Sequence, residues 1–275
     1  MEINASNIKT LLKQINVSPD KNYGQNFLIN PAISSSIVDF LDINEKDFIL
    51  EIGPGLGSLS HYLFLNSNKV DLVDIDENMY YFLKAIYKDK QNNIFCNDIR
   101  KFDISKYDKV ISNLPYNLTS EIILYLLKNG VNVKKYVLMC EFETFNHFFD
   151  TKGKEYGPLS VYIHLIGYIK KLLTIKPSNY YPMPKCKSVV FSIDINVDKD
   201  TLKDTFNAYK FVKNMFLSRR KTIFNNLSIY LSNDKEKCKQ ILEKCKIDIL
   251  SRPEEISPDE FLNLYKEIKK LGLGK

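Results

Sequence analysis

Short apolar runs alternate with amphipathic ones through the first half of the chain. "DFILEIG" (47–53) has strand length, and "LSHYLFLNSN" after it has helical character. "KVDLVDID" (69–76) reads as a second strand and "MYYFLKAIYKDK" as a second helix. "NNIFCND" (92–98) and "YDKVISN" (107–113) read as the third and fourth strands. "TSEIILYLLKNG" reads as a helix stopped by Gly130, and "KKYVLMCEF" (134–142) as a fifth strand. Strands alternating with helices predict an α/β fold, a Rossmann-like doubly wound parallel sheet with helices on both faces. Beyond residue 200 the period changes. Phe206, Tyr209, Val212, Met215, Phe216, Ile223 and Leu227 recur at helical spacing, and "NDKEKCKQILEKC" and "SPDEFLNLYKEIKKLG" add two more helices. The pattern predicts two domains, 1–199 and 200–275, the second small and all-helical.

Composition narrows the class only a little. The 275 residues are 44% hydrophobic and 26% charged, ordinary for a soluble globular protein. Lys plus Arg number 39 against 33 Asp plus Glu, a net charge of +6 that permits a nucleic-acid partner without requiring one. No apolar run approaches the roughly 18 residues of a membrane span. "MEINASNIKTLLKQ" has neither the basic start and apolar core of a secretory signal nor the arginines of a transit peptide. The five cysteines form no C-x-x-C pair and the three histidines stand apart, so the expectation is reduced thiols, a cytoplasmic protein and no metal site.

The polar residues at the strand ends change the picture. Glu51 and Gly53 close the first strand, Asp74 and Asp76 the second, Asp98 the third and Asn113 the fourth. Any one of them suits a turn. In an open parallel sheet all four ends lie along one edge, the edge where ligands bind. "EIGPGLGSLS" approaches a dinucleotide fingerprint, with glycines at 53, 55 and 57, but Ser58 stands where G-x-G-x-x-G needs its last glycine. Asp74 is placed to accept from ribose hydroxyls, Asp98 from an adenine amino group. Glu51 beside Gly53 and Gly55 puts a negative charge where a pyrophosphate would be repelled. A ligand with ammonium and sulfonium charges suits that loop, and S-adenosylmethionine is one. A nicotinamide dehydrogenase remains the rival on these residues alone.

That reading gives "NLPY" (113–116) a use. The lone pair of an adenine amine is delocalised into the ring and is a poor nucleophile. Two acceptors holding its hydrogens favour a more tetrahedral nitrogen. Asn113 Oδ1 is one and the Leu114 carbonyl the other, with Pro115 restricting Leu114 to an extended conformation. Tyr116 offers a flat face for a flipped-out base.

The chain resembles the KsgA-type ribosomal RNA adenine dimethyltransferases over nearly its whole length. The matching stretches include "YGQNFLIN" (23–30), "EIGPGLGSLS" (51–60), "SNLPYNLTS" (112–120), "YYPMPKCKS" (180–188), "SRRKTIFNNL" (218–227) and "SRPEEISPDEF" (251–261). The resemblance implies S-adenosylmethionine as cofactor and, as substrate, two adjacent adenines in the 3′-end hairpin loop of small-subunit (16S) rRNA in an assembling 30S subunit. A monomer is expected. It carries the cofactor contacts onto Asn26, Leu28, Gly53, Asp74, Asp98 and Asn113. It makes Tyr180, where Phe is usual, the second ring of a base sandwich with Tyr116. The chain departs from the family in "MCEFETFNHFF" (139–149), with Cys140, Glu141, Phe142 and Asn146 at the divergent positions. That departure puts rRNA contacts from this stretch in question. Arg219, Arg220 and Lys221 read either as a solvated helix face or as phosphate contacts. The erythromycin-resistance methyltransferases, acting on large-subunit rRNA, and a mitochondrial relative acting as a transcription factor are the rivals within the resemblance. "SRPEEISPDEF" and the helical tail favour the small-subunit enzyme, and the intact cofactor and NLPY residues argue against a transcription factor.

Overall fold

The computed structural model describes residues 1–19 and 25–273. Tyr23 and Gly24 of "YGQNFLIN" lie outside the described residues. In chain order the elements are α1 (Ile8–Gln14), β1 (Phe27–Leu28), α2 (Pro31–Asp39), β2 (Ile49–Ile52), α3 (Ser60–Asn66), β3 (Val70–Asp74), α4 (Glu77–Ile86), β4 (Ile94–Cys96) and β5 (Lys109–Asn113). Then follow α5 (Thr119–Asn129), β6 (Lys135–Glu141), α6 (Phe142–Phe149), α7 (Pro158–Ile166), β7 (Gly167–Ile175), β8 (Tyr180–Tyr181) and β9 (Ser188–Ile195). The last four are α8 (Lys199–Met215), α9 (Ile223–Tyr230), α10 (Lys235–Lys244) and α11 (Pro258–Lys270).

Contacts divide the chain into two compact units, and not at residue 200. Unit 1 holds Met1–Thr144 with Lys170–Ile195; unit 2 holds Phe145–Ile169 with Asn196–Lys275. The expected boundary thus matches only the last crossing. The excursion between 145 and 169 carries α7, whose buried Val161 and Tyr156 before it belong to the core built by α8, α9 and α11. Local helical spacing cannot show that a segment joins helices that follow it by dozens of residues.

Unit 1 is built on a seven-stranded sheet of order β4-β3-β2-β5-β6-β9-β7. The pairs β3–β4, β2–β3, β2–β5 and β5–β6 are parallel, as the alternation predicts. β9 runs antiparallel to β6, with Ser188 opposite Glu141. Every residue of β2 and β3 is buried, Glu51 and Asp74 included, as in a sheet covered on both faces. The strand order reverses between β2 and β5, and a crevice opens there at the carboxyl ends. A two-stranded ribbon, β1 with β8, places Leu28 opposite Tyr180.

Unit 2 is helical around Phe211, Val212, Met215, Leu227, Phe261 and Leu264. "SRPEEISPDEF" is explained by helix starts. The Arg252 N–H donates to Glu255 (2.6 Å), and Ser257 and Glu260 form a reciprocal cap for α11, with the Ser257 N–H donating to Glu260 at 2.7 Å.

Candidate active site

Three carboxylates, Glu51, Asp74 and Asp98, converge on a cavity of about 310 Å³ at the switch point, within the range of roughly 300–1,000 Å³ usual for ligand sites. The loop after β2 needs glycine here. Gly55 has φ +54°, and a Cβ on it would lie 3.0 Å from the Phe27 ring. Phe27 lies on the β1 ribbon, so the ribbon and the loop close one wall together. The Gly55 N–H donates to Asp74 Oδ2 (3.0 Å), and the Asp76 N–H to Asp74 Oδ1 (2.9 Å). Asp76 caps α4 and accepts from Gln25 Nε2 at 2.6 Å.

Glu51 is 2% exposed and accepts one bond from Ser60 Oγ (2.6 Å). Burial, with the Asp74 charge adding to it, pushes its carboxyl up to about 8 against the Ser60 bond. Burial likewise lifts Asp74 to about 6. Burial thus favours the protonated form of Glu51, and a cation beside it would favour the negative charge expected there.

Asp98 behaves differently. Arg100 donates its backbone N–H, Nε and Nη2 to it, the last at 2.6 Å, and these bonds hold its carboxyl below the usual carboxylate range. A carboxylate has about four acceptor positions, so roughly one remains for a ligand. Arg100 also reaches Glu121 at 2.8 Å. It is the one cation lining the cavity among the described residues, and two acids already engage it. No three His, Cys, Asp or Glu side chains among the described residues are arranged to hold a metal ion.

Asn113 closes the cavity at the end of β5. Its Nδ2 donates to the Asn26 carbonyl (3.1 Å), which leaves Oδ1 as the group offered to a ligand. Asn26 thus sets the orientation of Asn113 as well as lining the wall. The Leu114 N–H donates to Met139 O (3.0 Å), and Leu114 is buried. The Pro115 carbonyl accepts from the Leu118 N–H (3.1 Å) and from Thr119 Oγ1 (3.1 Å), turning the chain into α5. Tyr116 is half-buried, its Oη 2.9 Å from Ser188 Oγ.

The cavity brings together Asn26, Leu28, Glu51, Gly53, Gly55, Asp74, Asp98, Asn113 and Pro115, all expected from the sequence. Leu114, Tyr116 and Tyr180 lie outside its lining. Tyr180 is 2% exposed within the core of unit 1 and its hydroxyl donates to Met139 Sδ (2.9 Å). The ring has no open face, so a base can stack on it only after its cover shifts. Phe27, Arg100 and Met139 line the cavity without having been expected. "GQNFL" carried a signal for Phe27, an apolar residue within a polar stretch; Met139 inside an apolar strand carried none.

The divergent stretch 139–149 is the end of β6 followed by α6. Cys140 is buried, Glu141 accepts from the Cys186 thiol (3.2 Å), and Lys171 lies over the Phe142 ring. Arg219 is committed within unit 2. It donates to the carbonyls of Lys154 (2.7 Å) and Tyr156 (2.8 Å) and pairs with Glu254 (3.3 Å). Arg220 and Lys221 are exposed.

The sequence model described as ribosomal RNA adenine dimethylase matches residues 17–270. Proteins named ribosomal RNA small subunit methyltransferase A are 33% identical in Malacoplasma penetrans (93% of this chain, 94% of that one) and 34% identical in Fusobacterium nucleatum (90% and 96%). Among solved structures, a dimethyladenosine transferase from Plasmodium falciparum is 24% identical with a TM-score of 0.77 over 90% of this chain and 98% of that one. The 23S rRNA methyltransferase ErmE is 17% identical with a TM-score of 0.69 over 89% of this chain and 100% of that one. These two likenesses show a shared fold, that of methyltransferases.

Proposed function

The chain belongs to the ribosomal RNA adenine dimethylase family, and from that premise we propose that it uses S-adenosylmethionine to dimethylate the 6-amino groups of two adjacent adenines in the 3′-end hairpin loop of small-subunit rRNA. The setting is the cytoplasm, on an assembling 30S subunit, and the enzyme works as a monomer. One observation carries the choice of cofactor. Glu51, Asp74 and Asp98 line the cavity, and the single cation among its described lining residues, Arg100, is taken up by Asp98 and Glu121. A pyrophosphate would meet acids with no free positive partner; a ligand bringing positive charge completes the site.

When bound, S-adenosylmethionine supplies a methyl group on a positively charged sulfur, an electrophile for an amine lone pair. Asp74 would take the ribose hydroxyls, and Asp98 would use its remaining acceptor position for the adenine amine. Glu51 would face the cationic end, its proton passing to water. On the target side, Asn113 Oδ1 and the Leu114 carbonyl accept the hydrogens of the target amine, whose lone pair is then aimed at the methyl group. The Asn113 amide is set before the substrate arrives by its bond to the Asn26 carbonyl, and Pro115 restricts the direction of the Leu114 carbonyl. As the new N–C bond forms the methyl–sulfur bond breaks, its electron pair staying on the sulfur, and the amine grows acidic and loses a proton to water, so no side-chain base is required. Tyr116 stacks on the flipped base.

Primer extension across the 3′-end hairpin, in cells with and without this gene, tests the reading, because dimethyladenine blocks the polymerase. Two adjacent stops that vanish with the gene are expected. Stops that persist there, or that vanish from large-subunit rRNA instead, overturn the substrate. Separately, thermal stabilisation by NAD and not by S-adenosylhomocysteine overturns the cofactor.

A further inference from the structure

We propose that Ser188 is a positioning residue for the methyl transfer, its buried hydroxyl holding the Tyr116 ring where the target adenine must stack. The inference rests on the function just proposed and adds a residue to the same site.

Ser188 is the first residue of β9 and is 0% exposed. The antiparallel register sets it opposite Glu141, at the end of β6 beside the target half of the site. Its Oγ lies 2.9 Å from Tyr116 Oη, and either hydroxyl can donate in that bond. Tyr180 makes a separate bond, donating to Met139 Sδ at 2.9 Å, and Met139 lines the cofactor cavity.

The mechanical effect follows from tyrosine geometry. The ring swings about χ1, and a bond at its far tip is the longest lever against that swing. Tyr116 is only half-buried, so packing alone does not fix it. Burial pushes its phenol up to about 12, so it stays neutral and able to donate. Asn113 and Leu114 are held by backbone bonds of their own. Losing the Ser188 bond therefore loosens the stacking ring without moving the amine acceptors or the cofactor carboxylates.

The test is a double-mutant cycle on unmethylated 30S subunits from a strain lacking this gene, with the full chain as enzyme. Ser188→Ala and Tyr116→Phe are each expected to lower kcat/KM by about five-fold, the worth of one hydrogen bond. Calorimetric affinity for S-adenosylmethionine should stay within about two-fold in both. The combined variant should be no worse than either single one, since both remove the same bond. Losses that multiply in the combined variant overturn the inference, because Ser188 would then act through something else. So does an unimpaired Tyr116→Phe enzyme, which decides the matter even if Ser188→Ala does not fold. A wild-type enzyme inactive on these subunits overturns the function and this inference with it.

Discussion

The two halves of the site share one sheet edge and are built on opposite principles. At the ends of β2, β3 and β4 the chain gathers carboxylates, two of them buried and raised above the ordinary carboxylate range, and leaves the balancing charge to a ligand. At the ends of β5 and β6 and the start of β9 it gathers an amide, two phenols, a hydroxyl and a thioether, each held by a neutral bond. The first half selects by charge, the second by shape and hydrogen-bond direction. A transfer that moves a positively charged methyl group onto a neutral amine asks for both: charge where the cation binds, and no charge where the neutral base does. Variants in the two halves should therefore fail in different observables.

The largest effect is expected from Tyr180→Ala, and in stability. A ring buried to this depth in the unit 1 core costs about 3–5 kcal/mol when truncated. A melt lowered by several degrees would mask any loss of stacking. Tyr180→Phe keeps the ring and gives up only a bond to sulfur, so it should fold normally and keep most of its activity. A Phe variant as damaged as the Ala variant would show that the Tyr180 hydroxyl, and not the ring, is what matters at this position.

Next in size is Asn113→Ala. Removing one preorganised dipole from a reacting centre costs about 100- to 1,000-fold in kcat. Affinity for S-adenosylmethionine should change less, because the cavity's charge is untouched. Equal losses in kcat and in cofactor affinity would erase the division between the halves, placing Asn113 in the first.

The first half was legible in the sequence because it is local. Each acid follows its own strand, and parallel strands bring their ends together by rule. The five parallel strands appear within a few residues of their expected bounds. The second half is not local. Ser188 meets Tyr116 only through the register of β9 on β6, and Phe27 meets Gly55 only through a ribbon of two residues per strand. β7 hid because Lys170 and Lys171 interrupt its alternation, as charges on a strand at a sheet's edge do. Gly130 was placed correctly for the wrong reason. Its φ is −79°, not left-handed, and what excludes a side chain there is Tyr136 Oη and the Leu126 carbonyl, which crowd the place a Cβ would take.

Asp98→Ala should weaken S-adenosylmethionine binding by about 1–3 kcal/mol, the range for a charged hydrogen bond. The structure adds a second cause, since the change would leave Arg100 bound to Glu121 alone and its charge facing the cavity. Asp98→Ala/Arg100→Ala separates them. If the double variant recovers part of the affinity, net charge governs the first half; if it recovers none, the acceptor itself matters. Calorimetry showing unchanged affinity for Asp98→Ala in a folded enzyme would remove Asp98 from the site.

The smallest effect is a slope, and it tests the charge principle most directly. Burial pushes the Glu51 carboxyl up to about 8, and a bound cation would lower that value. Below pH 8 binding must expel the proton, so affinity for S-adenosylmethionine should rise with pH and level off near 8. One released proton gives at most about ten-fold per pH unit. Calorimetry in buffers of different ionisation heat counts the protons. Glu51→Gln should flatten the slope between pH 6 and 8 and leave only the share of Asp74, which titrates near 6. The same residue affects stability with the opposite sense. The folded protein binds this proton between 4.5, the ordinary value, and about 8, while the unfolded chain has released it. Stability from this group is present below pH 4.5 and is lost as pH climbs to 8. Glu51→Gln should therefore melt above the wild type at pH 8 while binding the cofactor less tightly. A wild-type affinity that is flat from pH 6 to 8 would mean Glu51 meets no cation, and the first half would then select by shape, as the second does.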